Sequence, residues 1–142
     1  MANLNIYLNF MGNTEEAFNY YKAIFGGDFA MLQRLKDTPD GNKLSAAEQQ
    51  MVMHVALPVG KNMVLMGTDM LESMGHKLQL GNNISISINA ESKEEADKLF
   101  NGLSAGGKVG MPLADMFWGA YFGMLTDKFG IQWMVNFEYP KK

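Results

Sequence analysis

Few side chains in this sequence could carry out acid–base or covalent chemistry. The 142 residues include two histidines and no cysteine, which excludes thiolate catalysis and thiolate metal sites. His54 lies in an alternating apolar segment, where it could serve as a general base or as a structural strand residue. His76 lies in a polar connecting segment and is predicted to be solvated. No nucleophile-elbow context accompanies the histidines, so no Ser-His-Asp triad is predicted.

A second set of side chains suits binding rather than reaction. Trp118 could stack on a planar ligand while Tyr7 or Tyr121 donates a hydrogen bond. Trp118 could equally pack with Phe117 at a rim or a dimer contact. Polar residues alternate with leucines and isoleucines on two predicted strands, where they either line a cavity or meet solvent: Asn5, Asn9, Ser85, Ser87 and Asn89. The thirteen methionines serve as core filler or as the lining of an adaptable apolar pocket.

The elements that must position these residues occur twice. Thr14-Glu15-Glu16-Ala17 followed by Gly26-Gly27 recurs as Ser92-Lys93-Glu94-Glu95-Ala96 followed by Gly106-Gly107. Each copy follows a short alternating strand and ends in two strands joined by a tight turn. Such a duplication predicts two copies of one βαβββ module, and it determines the architecture before any single residue is interpreted.

The duplication predicts an α+β fold of two tandem βαβββ modules that form a curved mixed sheet round a cavity. The modules are expected at residues 1–67 and 83–142, joined by a linker at 68–82. The expected strands of the first module are 3–10, 29–35, 51–57 and 63–67, with a helix at 14–25. In the second module the expected strands are 83–89, 108–113, 121–126 and 131–137, with a helix that follows a Ser92 cap and ends at about Leu103.

Composition and charge exclude several classes of partner. A net charge of −3, with no run of lysine or arginine, gives no electrostatic reason to expect nucleic acid. No window approaches roughly 18 continuous apolar residues, so no membrane span is predicted. The first residues lack the basic and apolar regions of a signal peptide. The cytoplasm is therefore the expected location.

Short motifs along the whole chain carry a resemblance to a known family. They are Tyr7-Leu8-Asn9-Phe10 with Gly12-Asn13 and Glu15-Glu16-Ala17, Tyr20-Tyr21, Phe25-Gly26-Gly27, His54 before Leu57-Pro58, Leu65-Met66-Gly67, Phe117-Trp118-Gly119, Gly123, Asp127-Lys128-Phe129-Gly130 and Trp133. With these motifs the chain resembles the vicinal-oxygen-chelate superfamily of glyoxalase I, bleomycin-resistance proteins and extradiol dioxygenases. Within it, the chain is most similar to the PhnB-like branch, often described as similar to a 3-demethylubiquinone-9 3-methyltransferase.

The resemblance also implies where a metal site would lie. In metal-dependent members each module supplies one histidine-type ligand from its first strand and one glutamate from its last. The resemblance places these positions at Asn5, Met66, Asn83 and Met134. Two amides and two thioethers hold a hard dication poorly in water. No metal and no cofactor are therefore expected.

Together these observations predict a metal-free homodimer that binds a small, partly aromatic ligand. The predicted ligand-binding residues are Asn5, Tyr7, Asn9, Met66, Asn83, Ser85, Trp118, Tyr121 and Met134. One alternative is a small-molecule enzyme of lyase, isomerase or dioxygenase type that uses His54 or a divalent metal site at other residues. Another is a duplicated scaffold whose partner is a protein. No nucleotide-cofactor signature supports methyl transfer.

Overall fold

The computed structural model describes residues 2–141, and the chain divides into two units, Met1–Gln79 (unit 1) and Leu80–Lys142 (unit 2). The elements of unit 1 are β1 (Ile6–Phe10), α1 (Thr14–Phe25), β2 (Met31–Arg34), α2 (Ala46–Gln50), β3 (Val52–Val59) and β4 (Met63–Asp69). The elements of unit 2 are β5 (Ile86–Asn89), α3 (Lys93–Ser104), β6 (Lys108–Asp115), β7 (Ala120–Thr126) and β8 (Gln132–Glu138). The predicted α+β fold with a duplicated βαβββ order is confirmed.

Each unit contains one four-stranded mixed sheet with the same topology. The strand orders are β1-β4-β3-β2 in unit 1 and β5-β8-β7-β6 in unit 2. In each sheet the first strand of the unit runs parallel to the last, and the remaining pairs are antiparallel. The first strand of each unit begins later than expected, at Ile6 and Ile86. The strand β4 ends at Asp69, two residues beyond the expected end at Gly67.

The long helix of each unit covers one face of its sheet. Ala17, Phe18 and Tyr21 of α1 are buried against β3 and β4. The close approach of this helix requires glycine in β4, because a Cβ at Gly67 would lie 2.5 Å from Cε1 of Phe18. Helix α3 packs on β7 and β8 in the same manner. There a Cβ at Gly123 would lie 2.8 Å from Cε2 of Phe100.

The two long helices begin with different hydrogen bonds. In unit 2 the predicted cap is confirmed, since Ser92 Oγ accepts a hydrogen bond from the Glu95 amide at 3.0 Å. In unit 1 the side chain of Asn13 makes no such bond. The Thr14 hydroxyl and amide instead donate to Oδ1 of Asp69, at 2.6 and 3.1 Å. The start of α1 is therefore held by a residue 55 positions away in the chain.

The carboxylate of Asp69 joins three elements of unit 1. Besides the two bonds from Thr14, Oδ1 accepts from the Gly12 amide at 2.9 Å, and Oδ2 accepts from the Val52 amide at 2.9 Å. Asp69 is only 6% exposed. Its four hydrogen bonds connect the end of β4 to the start of α1 and the start of β3.

A second buried carboxylate shapes the β7–β8 turn of unit 2. Asp127 accepts hydrogen bonds from the amides of Phe129 and Ile131, at 2.8 and 3.1 Å. Its Oδ2 accepts from Nε1 of Trp133 at 2.8 Å. Trp133 belongs to the core and is 2% exposed.

Within residues 2–141, no helix is long and apolar enough to cross a membrane.

We expect Asp69→Asn to lower the free energy of unfolding by about 2–3 kcal/mol, because an amide NH₂ must then face a backbone N–H in a buried site. Urea denaturation followed by circular dichroism measures this change. Asp28→Asn is the matched control, because the Asp28 side chain is 94% exposed. Equal stability of the two variants would show that the Asp69 hydrogen bonds are not required.

Candidate functional site

Each sheet has one face opposite its long helix, called here the open face. In β1, Leu8 and Phe10 are buried beneath α1, whereas Tyr7 and Asn9 point to the opposite side and are exposed. Following the strand pairing from these residues identifies the other members of the open face. In unit 1 the open face consists of Tyr7, Asn9, Met31, Gln33, His54, Ala56, Pro58, Val64, Met66 and Thr68.

The open face of unit 1 brings two predicted site residues into contact. The Tyr7 hydroxyl lies 3.2 Å from Nδ1 of His54, and the two ring centroids are 5.7 Å apart. Tyr7 pairs directly with Met66, a third predicted residue. Ala56 shares this face with His54, whereas Val52 is buried and pairs with Arg34, because the pairing of β2 with β3 shifts beyond Gln33.

The open face of unit 2 is apolar at its centre. It consists of Ser87, Asn89, Lys108, Met111, Ala114, Ala120, Phe122, Met124, Thr126, Gln132, Met134, Asn136 and Glu138. Met111, Met124 and Met134 stand side by side across three strands. Beside them, Nδ2 of Asn136 donates to Oδ1 of Asn89 at 3.2 Å. The face therefore combines three flexible thioethers with one ordered amide pair.

Trp118 lies beside this face on the turn between β6 and β7. Its ring is 6.0 Å from Phe122 and 5.0 Å from Phe117, both edge to face. The tryptophan is nevertheless 56% exposed. It also borders a depression of about 380 Å³, which is lined by Trp118, Gly119, Glu138, Tyr139, Pro140 and Lys141. The indole is thus both held in place by aromatic neighbours and accessible.

Four predicted site residues lie outside the open faces. Tyr121 points to the α3 side of its sheet, where its hydroxyl donates to Oδ1 of Asp97 at 2.6 Å. This hydrogen bond, with burial and the charge of Asp97, raises the pKa of Tyr121 to about 12. Asn5, Asn83 and Ser85 precede the first strands of their units rather than lying within them.

Met66 and Met134 lie at two of the four positions where the resemblance places the ligands of a superfamily metal. In the structure their strand partners are not Asn5 and Asn83, which occupy the other two positions. Met66 pairs with Tyr7, and Met134 pairs with Ser87. With these partners, or with Asn5 and Asn83, every donor is a neutral oxygen or nitrogen or a soft thioether. Among residues 2–141, no three histidine, aspartate or glutamate side chains lie close enough together to hold an ion. These residues do not fit a hard divalent cation.

Several residues of the open faces were missed by sequence analysis: Gln33, Thr68, Met111, Phe122, Met124 and Asn136. On β7 the run Tyr121-Phe122-Gly123-Met124-Leu125 has no polar alternation, so its two faces cannot be distinguished from sequence. The signal that identifies them is the register with β8, which pairs Phe122 with Asn136 and Met124 with Met134.

In a pH titration followed by tyrosinate absorbance, the signal of Tyr121 is the difference between wild type and Tyr121→Phe. We expect this difference to have its midpoint near pH 12, because the bond to Asp97 stabilises the neutral phenol. The stability from this bond is present below the ordinary pKa of 10.0 and is lost as the pH rises through about 12. Asp97→Asn should return the midpoint toward the ordinary value. A wild-type midpoint that Asp97→Asn does not move would contradict the pairing.

Comparison with known proteins identifies relatives over the whole chain. Residues 2–136 match the family model described as 3-demethylubiquinone-9 3-methyltransferase. Protein YjdN of Escherichia coli (strain K12) is 28% identical over 137 residues, which cover 94% of this chain and 93% of that protein.

Two solved structures are also similar in sequence. Protein PA1353 from Pseudomonas aeruginosa is 40% identical, with a TM-score of 0.84, over 97% of this chain and 98% of that chain. A putative 3-demethylubiquinone-9 3-methyltransferase, PhnB protein, from Bacillus cereus is 25% identical, with a TM-score of 0.77, over 96% and 99%. Glyoxalase and bleomycin-resistance proteins of lower identity share the fold.

Proposed function

The chain belongs to the 3-demethylubiquinone-9 3-methyltransferase family, the PhnB-like branch of the glyoxalase and bleomycin-resistance fold, and on that premise we propose that it binds a small, partly aromatic molecule without a metal. The open faces of the two sheets are the proposed binding surfaces. The ligand-binding residues of this proposal are Tyr7, Asn9, Met66, Trp118 and Met134, to which the strand pairing adds Ser87, Asn89, Phe122 and Met124.

The position of Trp118 is the observation that carries the proposal. A tryptophan that is 56% exposed leaves apolar area in water, which stacking on a ligand would remove. Edge contacts with Phe117 and Phe122 already hold the ring, so binding costs little side-chain entropy. Methionines on the neighbouring strands can then adapt to the rest of the ligand.

The proposal excludes both a superfamily metal and the methyl transfer in the family description. The open-face donors at Tyr7, Met66, Ser87 and Met134 carry no charge that would hold a hard cation. A nucleotide-type methyl donor would need a recognisable binding element. The loop from β1 to α1 contains a single glycine, Gly12, and the loop from β5 to α3 contains none.

We further propose a homodimer, as the resemblance to the superfamily implies, and a cytoplasmic location. Exposed apolar side chains support an interface with a second copy of this chain, since Leu4, Ile84 and Phe117 are more than three-quarters exposed. Sedimentation velocity over a concentration series tests the dimer. A monomer at every concentration would contradict it.

We expect 2-acetylnaphthalene to quench tryptophan emission saturably, and Trp118→Ala to weaken its binding by about tenfold through loss of the stacked ring. Equilibrium dialysis measures the affinity independently of the fluorophore. Met74→Ala is the matched control, because Met74 is exposed and lies outside the strands of both sheets. Identical affinity of Trp118→Ala and wild type would remove Trp118 from the site.

Purified protein is expected to contain substoichiometric transition metal and to show no saturable rise in melting temperature with Mn²⁺, Ni²⁺, Zn²⁺ or Fe²⁺, because an ion that binds only the folded state must raise it. Elemental analysis and a thermal-shift titration make the two measurements. One tightly bound ion per chain would overturn the metal-free proposal and favour lyase, isomerase or dioxygenase chemistry.

A further inference from the structure

Tyr7 and His54 form a polar pair that spans the open face of unit 1. They lie on β1 and β3, which are separated by β4, so the two side chains together bridge roughly 10 Å, or two strand spacings. Its hydroxyl ends 3.2 Å from Nδ1 of His54. Tyr7 is 46% exposed, and water competes for both partners, so the bond contributes little to folding. The pair orders polar atoms on an accessible surface.

The number of hydrogens in this pair determines what it can offer a ligand. A neutral pair has one O–H, on Tyr7, and one ring N–H, on His54. If Tyr7 donates to Nδ1, the remaining donor is Nε2–H of His54. If Nδ1–H donates to Tyr7, the remaining donor is the Tyr7 hydroxyl. In both arrangements the internal bond uses one hydrogen and leaves one donor for an external acceptor.

The surroundings of the pair select an uncharged acceptor. Met66 and Ala56 lie in register with Tyr7, and Gln33 lies in register with His54. The Thr68 hydroxyl already donates to the Met53 carbonyl at 2.7 Å. None of the ten open-face positions of unit 1 is Asp, Glu, Lys or Arg. A charged group would lose hydration here without a counter-charge, whereas a carbonyl would keep its hydrogen bond.

We propose that the Tyr7–His54 pair recognises an uncharged carbonyl group, as found in ketones, quinone-type rings, esters and amides, on a ligand bound at the open face of unit 1. This inference rests on the proposed binding function and names the polar part of that ligand. The aromatic part would be recognised through apolar contacts that do not depend on the carbonyl.

Three probes of similar size test the proposal: 2-acetylnaphthalene, 2-ethylnaphthalene and 2-naphthoate. Equilibrium dialysis at neutral pH should give wild type a roughly three- to tenfold preference for the acetyl over the ethyl probe, the effect of one hydrogen bond. The naphthoate should bind about tenfold or more weakly than the acetyl probe. Tyr7→Phe and His54→Leu should each reduce the acetyl preference, and the double variant should abolish it. The affinity for the ethyl probe should change little in all three variants.

The controls separate recognition from general damage. Tyr20→Phe removes a phenol hydroxyl from α1 and should keep the wild-type acetyl preference. His54→Gln returns a donor to the side chain and should recover part of the preference lost in His54→Leu. If His54→Leu fails to fold, Tyr7→Phe and His54→Gln decide the question, since the Tyr7 side chain is exposed.

The remaining outcomes separate a failure of carbonyl recognition from a failure of the proposed binding function. Equal wild-type affinity for the acetyl and ethyl probes, or tightest binding of the naphthoate, would overturn carbonyl recognition. In either case the binding function would still stand, since it requires that the probes bind and not that their polar groups be distinguished. If none of the three bound to wild type, both proposals would be overturned.

Discussion

The register between the first and last strand of each unit decides which side chains can meet on the open faces. A slip of one residue in this parallel pair would turn Tyr7 and Ser87 toward the helices and bring Leu8, Phe10, Ile86 and Ile88 to the open side. In unit 1 the register is held from beneath by the helix. Gly67 admits the Phe18 ring where any Cβ would collide with it. Asp69 then ties the end of the same strand to the start of α1. A glycine and a carboxylate, neither of which needs to contact a ligand, thus determine the geometry of the face.

The two open faces show how a duplicated frame can support different recognition. Both sheets place a methionine beside the first strand, Met66 in one and Met134 in the other. Farther across the sheet, unit 1 has His54 and unit 2 has Phe122. The first face therefore offers directional hydrogen bonding, and the second offers apolar area. Directional bonds discriminate between functional groups, whereas apolar contacts contribute affinity with less discrimination.

Sequence could predict the repeated architecture, because alternation, helix caps and glycine stops are local signals. Ser92 was recognised as a cap because its partner Glu95 lies three residues away. The corresponding contact of α1 could not be recognised, because Thr14 is bound by Asp69 at the far end of the unit. Tyr121 illustrates the same limit. Its strand has no polar alternation, so only the pairing with β8 and the contact with Asp97 reveal that it points toward α3. Local patterns identify elements, but tertiary pairing decides which face a residue occupies.

The side chains at the centres of the open faces are uncharged, and this limits the chemistry that the faces can support. A cation held by imidazoles and carboxylates would polarise bound oxygens and favour anionic intermediates. The neutral donors found here cannot do so, and under the proposed function affinity would come from removing apolar surface from water and from a few oriented hydrogen bonds. Orientation then matters more than donor strength. Trp118 meets this requirement because its turn is closed by a bond from the Met116 amide to the Ala120 carbonyl, and Gly119 adopts a φ of 90° that other residues rarely adopt. The turn thus fixes the position of the indole relative to the start of β7. Strand β7 pairs with β8, and the row of methionines crosses both strands.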